Sequence, residues 1–465
     1  MISARKTVFL VIQVISIICS FFIFRSELTI QNDFAFYGYY GLFIVILNLI
    51  LLLVIQKRII TGVNVIYICF CLFQFGLPIV TTLDKDFASY YLSILPSDIK
   101  VLGEQFSILC IQFFALGILL FINHKHKNMD ISFPYLKRKE LIIRASKLLA
   151  ILTGCIVIPL YVIVASQTIV SGYSQQLRAS ISSNGIFNVA TALFLPACFL
   201  ILCYENSTKQ LFLKTVVLIT CILSLIVGDR TNGIGWLLAF LLFRYFENPA
   251  KNDTKSIFKI IVIVMSIVAL VYLSSFLGYA RMNDQMESLN PLRVLELFIA
   301  ELGFNFTTIC FVMMYVPSIT VYQYGKTYVD ALILLIPKSL DPTGTINNML
   351  QNLPHKWLYS LIHITYNGGL DFGVGFSTIA EAFLNFGWFG VIIMFILGAI
   401  VGNFFGWKNW QQMSSFSKYS YIVLVAGLLT FPRRTAYEFF KVYEYSILFV
   451  LVYLWVTYSI FKRSK

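Results

Sequence analysis

The sequence is short of charge. Only 12% of its 465 residues are Asp, Glu, Lys or Arg, whereas 58% are hydrophobic and the mean hydropathy is +0.81. A soluble domain could not hide that much apolar surface, so a water-soluble enzyme is excluded. Histidine is scarce: the four residues (124, 126, 355 and 363) have no metal-ligand spacing, and HExxH is absent. No phosphate-cradling GxxxxGKS or GxxxxGKT occurs, which removes a built-in ATPase. The glycines of GGLDFGVGF (368–376) follow no strand of a βαβ unit, so they make no dinucleotide fingerprint. CxxC is missing, and the nine cysteines (19, 69, 71, 110, 155, 198, 203, 221 and 310) all fall inside apolar runs. They read as packing residues, with neither disulfide nor metal implied. No internal repeat or low-complexity tract is visible, so the inverted-repeat layout of many transporters finds no support.

What the sequence has in quantity is long apolar stretches. They lie near 7–24, 36–55, 59–82, 104–122, 148–169, 187–204, 211–228, 233–246, 257–278, 294–316, 377–404, 418–431 and 441–461, with a weaker one at 319–336. Each strong stretch reads as a transmembrane helix, because about 20 apolar residues cross the bilayer core. The expected fold is an all-α polytopic membrane protein of about 12–14 transmembrane helices. It is expected to form a single integral membrane domain over 1–465, with one sizeable external loop at 337–376. Residues 1–24 resemble a signal peptide, but no small-residue cleavage site follows, so they are expected to be the first span.

The net charge of +13 is mostly topology. Segments 1–6, 56–58, 123–147, 205–214, 247–259, 405–418 and 462–465 are rich in Lys and Arg, against five acids: Asp130, Glu140, Glu205, Glu247 and Asp253. Such an excess marks the cytoplasmic side. Both termini are therefore expected in the cytoplasm, which demands an even number of crossings, fourteen if 319–336 spans. HKHK (124–127) and KRK (137–139) read as anchors of this kind, and no nucleic-acid partner is expected. LDKDF (83–87) contains a DxD, but its external loop is out of reach of nucleotide sugars, so it is not read as a metal site.

Against this background LIVGDRTNGIGW (225–236) is unusual, with Asp229 and Arg230 between two apolar runs. An arginine at membrane depth costs roughly 2.5–3.5 kcal/mol on insertion scales. The bland reading is the turn of a helical hairpin, with Gly228 and Gly233 at the bend. Other arginines share the expected outward face: Arg178 in SGYSQQLRAS, Arg281 in GYARMND, and Arg433 and Arg434 in FPRRTAYEF. Each alone could snorkel to the headgroups. Together they oppose the positive-inside bias and suit a pyrophosphate, which guanidinium forks bind with paired hydrogen bonds.

A second constellation is GFSTIAEAFLNFGWFG (375–390), in which Ser377, Glu381 and Asn385 recur at i, i+4 and i+8. That spacing predicts one helix face. Glu381 is expected to meet an arginine or water there. Either it locks two helices together or it accepts a proton from a hydroxyl. Glu296 and Glu301 also lie in a span, but their offset of five allows at most one to join this site. The loop 337–376 is rich in Pro and Gly, and its Trp357, Tyr359 and Tyr366 could lie at the interface or stack on a sugar ring.

The pattern of GDR (228–230), Arg281, GKTYVDALILLIPKSL (325–340) and G-x-G-x-S-x-x-x-E-x-x-x-N-x-G (373–387) resembles the Wzy-type O-antigen and capsule polymerases of the bacterial inner membrane. The resemblance covers roughly 210–435. It implies a membrane-embedded (GT-C-like) glycosyltransferase that polymerises oligosaccharide units carried on undecaprenyl pyrophosphate, at the outer face of the membrane. By that resemblance Arg230, Arg281 and Arg434 would hold the diphosphate and Glu381 would orient or deprotonate the attacking hydroxyl. Arg178, Arg433, Asn385, Ser377, Lys338, Asp371 and His363 would contact substrate. No metal or other cofactor is expected, and a chain-length regulator and a flippase are possible partners. Lys338 and then Asp341-Pro342 stand where the family often has an Arg and a Lys-Pro. Two other readings stay open: a lipid-linked oligosaccharide flippase or transporter, and an O-antigen ligase using His355 or His363.

Overall fold

The computed structural model describes the chain except residues 1–3, 26–32, 57–58, 85–86, 88–89, 123–133, 172–184, 206–209, 228–229, 248–290, 337–339, 367–374, 407–409 and 464–465. Among the described residues every regular element is helical. Nine helices among the described residues are long and apolar enough to cross a membrane, from Arg5–Arg25 to Ala436–Lys462, and Leu211–Val227 is a shorter apolar helix. The all-α, multi-pass architecture follows. The expected span at 257–278 lies outside the described residues.

Segment 319–336 is not a span. Its helix is Lys326–Ile333, eight residues, and at about 1.5 Å per residue it rises about 12 Å, far short of the roughly 30 Å hydrocarbon core. Gln323 and Tyr324 precede it, Tyr324 in a turn at φ of 47°, and their N–H groups donate to Leu384 O and Asn385 O at 3.0 Å each. The condition for a fourteenth crossing, that this segment spans, is therefore not met.

The described helices group into two compact units. The first is Met1–Lys125, Ile299–Lys408 and Phe431–Phe440. Its helices meet through small residues and buried polar pairs, the usual substitutes for a hydrophobic driving force in lipid. Gly398 and Gly402, four apart on Val391–Phe405, lie against Ser97–Phe121 so closely that a Cβ would come 2.0 Å from Phe114 O and 2.6 Å from Ile118 O. Gln112 Nε2 donates to Ser16 Oγ at 2.8 Å, and Ser20 Oγ donates to Gln112 Oε1 at 2.9 Å, tying Ala4–Arg25 to the same helix.

The stretch expected as an irregular loop carries two helices in this unit, Thr345–Gln351 and Pro354–Thr365. The first starts where Asp341 Oδ2 accepts the Ile346 N–H at 2.6 Å and Gly344 takes φ of 72°. Hydrogen bonds from Thr343 hold the exposed Asp341 carboxyl below its usual range. Pro354 sits at the first turn of the second helix, where its missing N–H has no intrahelical role. Leu334, Ile346 and Leu353 form a buried apolar cluster under Met349, Leu350 and Tyr437.

The second unit is His126–Phe298, Asn409–Thr430 and Lys441–Lys465. Within it, Leu211–Val227 and Arg230–Glu247 make a helical hairpin closed at its far end by the Lys214–Glu247 ion pair at 2.9 Å. Gly233 lies inside the second helix, not at the bend. A Cβ there would sit 2.7 Å from Leu225 Cδ2, so its role is close approach of the two helices.

Candidate active site

The stretch FSTIAEAFLNFG builds the site locally. Ser377 is the N-cap of Thr378–Phe386, with its Oγ accepting the Ala380 N–H at 3.0 Å. Gly387 ends the helix at φ of 55°, a left-handed region that favours glycine. Ser377, Glu381 and Asn385 are all fully buried. The expected shared face holds for Glu381 and Asn385, whereas Ser377 is the residue that starts the helix and directs its hydroxyl inward to the first turn.

Glu381 lies in that first turn, where the helix N-terminus favours a negative charge. Its Oε1 accepts the Thr327 hydroxyl at 2.8 Å and its Oε2 accepts the Ala436 N–H at 2.7 Å. Among the described residues both of these partners are neutral donors. Geometry explains the second of them. Thr435 and Glu438 form a reciprocal cap: Thr435 N–H donates to Glu438 Oε2 at 3.0 Å, and Glu438 N–H to Thr435 Oγ1 at 3.4 Å. The N–H of Ala436, first residue of the helix that follows, is an unpaired helix-start donor, and Glu381 takes it.

Asn385 fixes the other oxygen's partner. Its Nδ2 donates to Thr327 Oγ1 at 2.7 Å and to Glu381 O at 2.8 Å, while its Oδ1 accepts the Gly325 N–H at 2.9 Å. An amide nitrogen only donates, so Thr327 Oγ1 accepts from Asn385, and the Thr327 hydroxyl in turn donates to Glu381. Among the described residues the hydrogen bonds to the Glu381 carboxyl come from the Thr327 hydroxyl and the Ala436 N–H. Donors of this kind pair with carboxylate oxygens.

Glu381 lines a cavity of about 150 Å³ together with Thr327, Lys326, Asp330, Trp357 and Tyr437. Trp357 and Tyr437 supply aromatic surface. Lys326 Nζ and Asp330 Oδ2 pair at 2.9 Å on the exposed side of the short helix. Mixed aromatic and polar walls of this kind fit a sugar ring, which has apolar C–H faces and hydroxyls at its edge.

The other sequence-predicted residues are distributed as follows. Arg433 and Arg434 are half-buried. Their backbone is fastened to the Glu381 helix, because Thr378 Oγ1 donates to Phe431 O at 2.7 Å and to Arg434 O at 3.4 Å. His363 is exposed, stacks on Tyr359 at 5.9 Å, and does not line the cavity. Tyr366 also lies off the cavity, with its ring edge-on to Phe311. Glu296, in the second unit, pairs with Arg293 one turn earlier at 3.2 Å. Arg230 is the first residue of its helix in the second unit. Its side chain, and residues Arg178, Arg281, Lys338 and Asp371, lie outside the described residues.

Sequence reasoning missed Thr327, Tyr437 and the Ala436 N–H. Thr327 stands two residues after Gly325 in a segment already singled out. Its hydroxyl carried no signal there, because threonine in a helix start is usually local capping. A backbone donor has no sequence signature at all.

The model of one family, O-antigen polysaccharide polymerase Wzy, matches residues 10–465, nearly the whole chain. The chain belongs to the Wzy family. No curated protein and no solved structure matches it significantly. Membership carries the coarse function: O-antigen repeat-unit polymerisation by a multi-pass membrane protein. For this Wzy-family member the cavity at Glu381, in the most strongly motif-bearing stretch, is the natural place to look for that chemistry.

Proposed function

We propose that the chain transfers a growing glycan from undecaprenyl pyrophosphate to the next undecaprenyl-pyrophosphate-linked repeat unit, at the outer face of the bacterial cytoplasmic membrane. The observation that carries this reading is the buried Glu381 carboxyl, held by the Thr327 hydroxyl and the Ala436 N–H and opening on a cavity with a Trp357 wall. In the reaction a hydroxyl of the acceptor sugar attacks the anomeric carbon of the donor. The new glycosidic C–O bond forms as the bond to the diphosphate breaks. The electron pair leaves with the diphosphate, and the hydroxyl proton passes to Glu381 and then to solvent.

The cavity is the acceptor side of this reaction. Among the described residues its lining includes one cation, Lys326, already paired with Asp330. A neutral sugar ring would find aromatic surface and hydrogen-bonding groups there. The diphosphate is assigned to Arg230, Arg281 and Arg434, with Arg178 and Arg433 in support. Permanent positive charge at those positions would stabilise the leaving group. The leaving group is already activated, so no nucleotide motif is needed.

The test is Glu381→Gln, which preserves shape and removes the proton acceptor. Cells carrying it are expected to display lipid-linked single repeat units with no polymer, at unchanged amounts of membrane-inserted protein. Polymer of normal length in that variant would overturn the assignment of Glu381.

A further inference from the structure

We infer that Thr327 is a positioning residue, which the Asn385 amide orients so that its hydroxyl holds Glu381 as a proton acceptor aimed into the cavity. The inference rests on the reading of Glu381 as the base.

Three facts converge on it. First, the relay runs one way: Asn385 Nδ2 donates to Thr327 Oγ1 at 2.7 Å, and the Thr327 hydroxyl donates to Glu381 Oε1 at 2.8 Å. Second, Asn385 cannot turn its amide over without loss, because Oδ1 already accepts the Gly325 N–H at 2.9 Å and Nδ2 also reaches Glu381 O at 2.8 Å. Gly325 is held at φ of 88°, a conformation that glycine adopts without strain, and this points its N–H at Asn385. Third, Thr327 belongs to the same short helix as Lys326 and Asp330, and all three line the cavity. An acceptor seated in that cavity touches the element that sets the base. Its binding and the orientation of the carboxylate are therefore read by one turn of chain.

The experiment compares Thr327→Val, which keeps the side-chain shape and removes the hydroxyl, with Thr327→Ser, which keeps the hydroxyl. Both are assayed in full-length protein in membranes with lipid-linked repeat units, and Glu381→Gln serves as reference. For Thr327→Val, kcat is expected to fall about tenfold to a hundredfold, with KM within about twofold of the parent, as for an interaction that counts mainly in the transition state. Thr327→Ser is expected to recover kcat to within about threefold of the parent. Wild-type kcat in Thr327→Val would overturn the inference, as would a serine variant no better than valine. An active Glu381→Gln would instead overturn the base assignment, and the inference with it. An inactive Glu381→Gln beside a fully active Thr327→Val would remove Thr327 alone. The melting temperature of each purified variant checks that folding is unchanged.

Discussion

The N–H of Ala436 donates to Glu381 Oε2 at 2.7 Å, across 55 positions of sequence. One carboxylate thus completes the start of a second helix while its other oxygen takes a hydroxyl proton from Thr327. A charge inside the protein must be hydrogen-bonded, because burying it bare costs several kcal/mol. Here the site meets that requirement with dipoles. Neutral donors hold the carboxylate in place without neutralising its charge, which leaves it able to accept a proton.

Trp357 forms a wall of the cavity. If it is the platform for the acceptor ring, Trp357→Ala loses binding more than turnover. KM for the lipid-linked repeat unit is expected to rise about tenfold, corresponding to roughly 1.4 kcal/mol, with kcat little changed. Steady-state kinetics with varied acceptor check this. An unchanged KM would place the acceptor elsewhere.

Arg230 opens a helix of the second unit. Arg230→Ala is expected to leave the protein inserted and to lower elongation by about a hundredfold to a thousandfold, the usual loss when one preorganised stabiliser of leaving-group charge is removed. Gel analysis of surface glycan would show single units in place of a ladder. A normal ladder would take Arg230 out of the mechanism.

The loop histidines separate polymerase from ligase. His363 is exposed on the face that stacks with Tyr359. Burial lowers the pKa of His355 despite the nearby Glu438. Neither lines the cavity. The double change His355→Ala with His363→Ala is therefore expected to leave polymerisation within about threefold of the parent, because no general acid–base contribution is removed. Loss of activity on the scale of Glu381→Gln would favour the ligase chemistry.

Much of this protein is decided by composition and short-range pattern. Apolar runs near the thickness of a bilayer force helices, since an unpaired N–H or C=O in lipid has no other partner. Glu381 and Asn385 were legible because four residues make about one helical turn, and Trp357 because an aromatic in a long loop has few purely structural reasons to be there. Segment 319–336 was left open by hydropathy, and only the structure shows its helix to be eight residues long, with Leu334 in a local cluster beside Ile346. Tertiary structure alone decided what Glu381 touches. Thr327 lies 54 positions away, and the Ala436 donor is backbone, identical in every residue but proline. Sequence can mark a carboxylate that should not be bare; only the packing of three distant segments determines which dipoles clothe it.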